Sequence, residues 1–87
     1  MDPTSTLQEF LVFMLNNLVD YPDEVEISSE EIDGGRQFVV KLNDDDVGRV
    51  IGRNGFTISA LRSMFDAAGE KHGMRVRLKV FGFSEVE

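Results

Sequence analysis

The chain has 87 residues, with sixteen acidic against nine basic side chains and a formal charge of −7, enough for one domain or one small subunit. The absence of cysteine excludes disulfides, thiolate metal sites and thiol nucleophiles together. A charge of −7, if evenly spread, also argues against a nucleic-acid binder, because polyanions repel.

Pro3-Thr4-Ser5-Thr6 opens a helix, and Ser5 with Gln8, or Thr6 with Glu9, fits a capping box. Leu7, Phe10, Leu11, Met14, Leu15 and Leu18 follow helical spacing, and Val12 and Val19 widen the stripe. Phe13 falls off it, either to cover a neighbouring loop or to mark a subunit contact. The helix should stop before Tyr21-Pro22, since a residue preceding proline is pushed out of the α region. Val25 and Ile27 alternate with Glu24 and Glu26 as a half-buried strand with an acidic outer face. Asp33-Gly34-Gly35 is turn chemistry, and Phe38, Val40 and Leu42 alternate with Gln37, Val39 and Lys41 in a second strand, so a hairpin is expected.

Asn43-Asp44-Asp45-Asp46 supplies capping acceptors and negative charge for a short helix, Val47 to Ile51. One cap and solvated acids account for this run better than a magnesium site does. After Gly52-Arg53-Asn54-Gly55 a further helix carries Ile58, Leu61, Met64, Phe65 and Ala68 on one face and ends near Gly69 or Gly73, with Lys71 and His72 in its last turn. Met74, Val76, Leu78 and Val80 alternate with Arg75, Arg77, Lys79 and Phe81 in a third strand. The expected fold is one α+β domain over residues 1–87, order α-β-β-α-α-β, with a three-stranded sheet whose one face is covered by helices.

The charge is not evenly spread. Residues 1–35 hold Asp2, Glu9, Asp20, Asp23, Glu24, Glu26, Glu30, Glu31 and Asp33 and no Lys or Arg, a net of −9. Residues 47–79 hold seven bases (Arg49, Arg53, Arg62, Lys71, Arg75, Arg77, Lys79) against Asp66 and Glu70, a net of +5. Such asymmetry points to a polyanion, or to two solvated faces that neutralise each other. Arg75, Arg77 and Lys79 with Lys41 form either a second nucleic-acid surface on the open sheet face or, the expected use, cross-strand partners for Glu24 and Glu26.

Gly52 and Gly55 stand three apart between two helices, where the backbone can turn sharply and approach a ligand with no Cβ in the way. Gly55 opens a helix whose amides and dipole suit an anion, and Arg53 and Asn54 complete a clamp for a sugar-phosphate chain. Taken alone, the pattern fits a plain helix–helix turn better than a ligand clamp. The spacing fits neither a P-loop nor a dinucleotide fingerprint: five positions after Gly48 stands Arg53, and two before Gly52 stands Val50.

Val50-Ile51-Gly52-Arg53-Asn54-Gly55-Phe56-Thr57-Ile58 resembles the signature of a KH domain, with Gly52–Gly55 as its GXXG loop. The element order matches the type II, prokaryotic arrangement. The length, Gly48-Arg49 before the loop and the Arg75-Val76-Arg77-Leu78 ending resemble the small bacterial KhpA (YlqC-type) RNA-binding proteins, over roughly residues 6–81. The resemblance implies single-stranded RNA binding, about four nucleotides against an apolar groove, without covalent chemistry. It implies that Gly52, Arg53, Asn54 and Gly55 hold the backbone, that Arg49 lies near the phosphates, and that Val50 and Ile51 form or support the groove. The position of Phe56 is often basic in such domains; here its ring either stacks on a base or, the expected case, packs at the helix start.

The resemblance further implies a homodimer, or a heterodimer with a larger RNA-binding protein carrying its own KH domain, in an RNA-chaperone or post-transcriptional role. The alternative is a protein-interaction subunit with little RNA affinity, suggested by the −9 segment, Phe13, Phe81 and Phe83. No cofactor, metal or small-molecule substrate is expected: His72 has no partner histidine or cysteine nearby, and Ser59 and Ser63 lack a nucleophile motif. Met1-Asp2-Pro3 does not start a signal peptide and no apolar run reaches membrane-spanning length, so a cytoplasmic protein is expected.

Overall fold

Strict alternation of apolar and polar residues from Phe38 to Leu42 puts Phe38, Val40 and Leu42 on one face of the central strand, and all three are fully buried. The computed structural model describes residues 2–85. Its elements are α1 (Thr4–Asn16), β1 (Glu26–Ile32), β2 (Gly35–Leu42), α2 (Asp44–Ile51), α3 (Phe56–Lys71) and β3 (Val76–Gly82). Single 3₁₀ turns lie at Pro22–Glu24 and Arg53–Gly55. The sheet order is β1-β2-β3, with β1 antiparallel and β3 parallel to β2. The antiparallel pair closes through Asp33-Gly34, whereas a parallel pair requires a long crossover, which α2 and α3 provide. This is the expected α+β fold, with three helices and three strands in the order α-β-β-α-α-β.

The core forms where Leu7, Leu11 and Leu15 of α1, Val50 of α2 and Ile58, Leu61 and Phe65 of α3 meet the inner faces of β2 and β3. Phe38 and Phe65 contact edge to face, with centroids 5.0 Å apart and planes at 87°, a geometry that adds about 0.5–1.5 kcal/mol to their burial.

Several local expectations are corrected. Neither Ser5 nor Thr6 caps α1 with its side chain; the Asp2 carboxylate accepts from the Thr4 amide at 3.0 Å and from the Thr4 hydroxyl, with Pro3 opening the helix. These bonds favour the ionised form and hold the Asp2 carboxyl below its ordinary range. Helix α1 does stop before Tyr21-Pro22, at Asn16, where the Asn17 and Leu18 amides turn to the carbonyls of Met14 and Leu15 at 3.2 and 2.9 Å. The Asp20 and Tyr21 amides donate instead to the Asp46 carboxylate at 2.9 and 3.0 Å. Helix α2 starts at Asp44 rather than Val47, on an Asn43 cap whose side chain accepts from the Asp45 amide at 2.8 Å.

The three aspartates are not one cap with solvated neighbours. Asp46 is fully buried, and Asp44 binds the amide and hydroxyl of Ser84, which lowers its pKa. Val12 and Met64 lie at the surface, 36% and 55% exposed, because α1 and α3 bury only part of their apolar stripes. The expected pairing of Arg75, Arg77 and Lys79 with Glu24 and Glu26 fails on strand order. Strand β2 separates the two sets, leaving Lys41 opposite Glu26 and placing Arg77 and Lys79 opposite Gln37 and Val39.

Candidate nucleic-acid interface

The loop from Gly52 to Gly55 is anchored by what lies before it. Val50 is fully buried in the core and Ile51 half-buried, so the end of α2 cannot drift. Val50 therefore has no surface to offer a ligand. Gly52 then takes φ 76°, ψ 173°, a region essentially confined to glycine. A Cβ there would meet the Thr57 side chain and amide, the amide nitrogen at 2.9 Å. Asn54 (φ 55°) and Gly55 (φ 75°) are left-handed in succession and swing the chain into α3. Asparagine is among the few side chains that enter this region readily. The Gly52 amide donates to the Gly48 carbonyl at 2.9 Å, and the Gly55 amide to the Gly52 carbonyl at 3.1 Å, fixing both ends of the turn.

This backbone leaves the side chains of Arg53 and Asn54 exposed. No side chain caps α3, and the Phe56 amide turns back to the Arg53 carbonyl; the positive end of the helix dipole lies at the loop. Phe56 is 73% exposed and does not pack at the helix start as expected. Arg49 is engaged: its guanidinium lies 2.7 Å from Asp20 and 3.8 Å from Asp46. Two carboxylates thus compete with any phosphate for it, although its side chain remains 55% exposed. The loop, Phe56 and the end of α2 form one continuous segment, from which Arg49 reaches back toward the α1–β1 connection.

Sequence reasoning missed the supports. Asp46 fixes the chain after α1 to α2, and Thr57 fills the space that a side chain on Gly52 would need. The one available signal was the excess of acids: a helix start uses one capping side chain, and three consecutive aspartates leave two to be explained. Those aspartates turn to separate partners, and among the described residues no group of three or more His, Cys, Asp or Glu is arranged to hold a metal ion.

A second surface feature lies on the outer side of the helices. Phe13, Met14 and Leu18 from the α1 region and Ala60, Leu61 and Met64 of α3 line an apolar groove of about 360 Å³. Phe13 is 66% exposed at its rim and covers no loop. No helix among the described residues is long and apolar enough to cross a membrane.

Comparison with known proteins bears on the whole domain. The family described as "KhpA/KhpB, KH domain" matches residues 8–80. The "RNA-binding protein KhpA" of Streptomyces coelicolor is 43% identical over 72 residues, covering 83% of this chain and 90% of that protein. Proteins of the same name from Chlamydia pneumoniae and Listeria monocytogenes are 34% and 32% identical, over 85% of this chain in each case and 95% and 97% of their own lengths. No solved structure matches the chain. With the fold, the loop and these relatives in agreement, the chain belongs to the KhpA/KhpB family of KH domains.

Proposed function

We propose that the protein is a non-enzymatic, cytoplasmic binder of single-stranded RNA, which grips about four nucleotides with its Gly52–Gly55 loop and acts as an RNA chaperone or post-transcriptional regulator. The observation that carries this reading is the exposure of Arg53 and Asn54 between two glycine-set turns, at the start of a helix that no side chain caps. Relatives along nearly the whole chain are named RNA-binding proteins. Gly52 and Gly55 let the sugar-phosphate chain approach, Arg53 and Asn54 hold it, and Arg49 reaches it when Asp20 lets go. Ile51 lines the groove over Val50. The Phe56 ring offers a stacking face worth about 1–3 kcal/mol per base.

With two or three phosphates neutralised, log K should fall with log salt at a slope of about −1.4 to −2. Arg53→Asp with Asn54→Asp should preserve the far-ultraviolet spectrum, since aspartate also tolerates the left-handed region, and abolish RNA crosslinking in cells. Undiminished crosslinking would refute the proposal.

The α1–α3 groove favours a second reading, in which the domain pairs with itself or with a larger KH-containing RNA-binding protein and has little RNA affinity of its own. Its apolar lining, with Phe13 and Met64 more than half exposed, is surface that a solitary domain gains nothing by showing. Light scattering at micromolar concentration, with and without RNA, should then give twice the monomer mass, and Met64→Asp should halve it. A strict monomer counts against self-association.

A further inference from the structure

Most ion pairs at a protein surface are held loosely, because two flexible side chains must lose freedom to form them. The Asp20–Arg49 pair is built differently. Asp20 follows Val19, which is buried in the core, and its amide donates to the buried Asp46 carboxylate at 2.9 Å. The Tyr21 amide donates to the other oxygen of the same carboxylate at 3.0 Å. The backbone on both sides of the Asp20 side chain is therefore tied to α2. Asp46 and Arg49 stand three apart on that helix and share a face. A short side chain on a fixed backbone thus meets an arginine of the same helix, with little freedom left to lose.

The pair takes the part of the guanidinium that a phosphate would use. Asp20 lies 2.7 Å from Nη2 and Asp46 3.8 Å from Nε. Those two nitrogens form one edge of the guanidinium, and such an edge can grip a phosphate through two parallel bonds. The two carboxylates there also offset the single positive charge. Arg49 precedes Gly52 by three residues in the last turn of α2, about 4.5 Å along the axis. Its side chain and that of Asp20 remain 55% and 57% exposed, so a ligand can reach the pair and exchange with it. Among the described residues the ion pairs found all involve Arg49, which leaves Arg53 outside any of them.

We propose that Asp20 sets the affinity of the loop for RNA: its carboxylate takes the place of a phosphate on Arg49 and withholds that cation from the bound strand. This rests on the RNA-binding reading of the loop and deepens it by naming the residue that limits it. A phosphate engages Arg49 only by displacing a carboxylate that the fold delivers to it. The clamp therefore grips mainly through Arg53, Asn54 and the glycine backbone. Asp20 is a positioning residue, which acts through Arg49 and touches no RNA itself.

Fluorescence anisotropy of the intact chain with an unstructured eight-nucleotide RNA provides the test. Asp20→Asn keeps the backbone amide that binds Asp46 and removes the charge. It should tighten binding about fivefold, the upper end for release of an exposed ion pair. It should also steepen the salt slope by about 0.7, the increment of one further phosphate. Asp23→Asn removes the same charge from an exposed position three residues on, and should produce neither change. Arg49→Gln should cost about fivefold more affinity in the Asp20→Asn background than in the wild type. A gain that Asp23→Asn matches, or that survives Arg49→Gln, overturns the proposal and spares the loop. Equal binding by Asp20→Asn and the wild type does the same. Failure of both to bind RNA overturns the loop reading, and the role of Asp20 with it.

Discussion

Asp46→Ala should destabilise the domain by about 3–5 kcal/mol, because it removes the shared acceptor of two backbone amides. The carboxylate is fully buried and holds the Asp20 and Tyr21 amides at 2.9 and 3.0 Å. Bonds to an ionised acceptor contribute about 1.5–3 kcal/mol each, and truncation leaves the partly buried donors without an acceptor. A domain of this length is stable by only about 4–13 kcal/mol in all, so the variant should populate unfolded chains at moderate temperature. Urea titration followed by circular dichroism measures the loss. Asp45→Ala provides the contrast: that side chain is exposed, and losing its charge from the first helical turn should cost about 0.3–1 kcal/mol. Equal effects at the two positions would remove Asp46 from the role assigned to it.

Gly52→Ala is the second large effect. Its backbone dihedrals alone cost a residue with a Cβ about 1–3 kcal/mol. The added carbon would also sit 2.7 Å from the Thr57 Cβ and 2.9 Å from the Thr57 amide nitrogen, contacts that no rotation of Thr57 relieves. We expect a total near 3 kcal/mol, a fall of about 12–24 °C in melting temperature for a domain of this size. The surviving folded fraction should have a displaced loop. Gly55→Ala should cost only the left-handed penalty of about 1–2 kcal/mol, since the nearest atom to its Cβ would be Ile58 Cγ2 at 3.9 Å. Differential scanning calorimetry of the two variants should place Gly52→Ala clearly below Gly55→Ala, and the reverse order would show that Thr57 gives way.

The element order and the loop could be read from the sequence because both are written in local patterns. Alternation at Phe38, Val40 and Leu42 and again at Val76 and Leu78 specifies strands whose burial follows from period two. Gly52 and Gly55 mark the turn because few other residues adopt its dihedrals. The supports of the site were not local. Asp46 acts on amides 25 and 26 positions earlier, and Asp44 on a residue 40 positions later, so composition around Asn43 could suggest only a cap. Arg49 was read toward phosphate because nothing near it in sequence revealed Asp20 as a partner. The expected pairing of β3 with acids failed for a similar reason: alternation gives a strand's faces but not its neighbour, and β2 occupies the middle.

The parallel pairing of β2 with β3 also bears on how the domain folds. Phe38 meets Leu78 across forty residues, whereas the β1–β2 hairpin closes through two. Loop-closure entropy must be paid before the distant pairing returns any contact energy, which makes such a step slow. The hairpin and the helices can begin to form through local contacts, while docking of β3 completes the sheet. A rate-limiting search of this kind leaves the open edge of β2 as the surface most exposed to mispairing between chains.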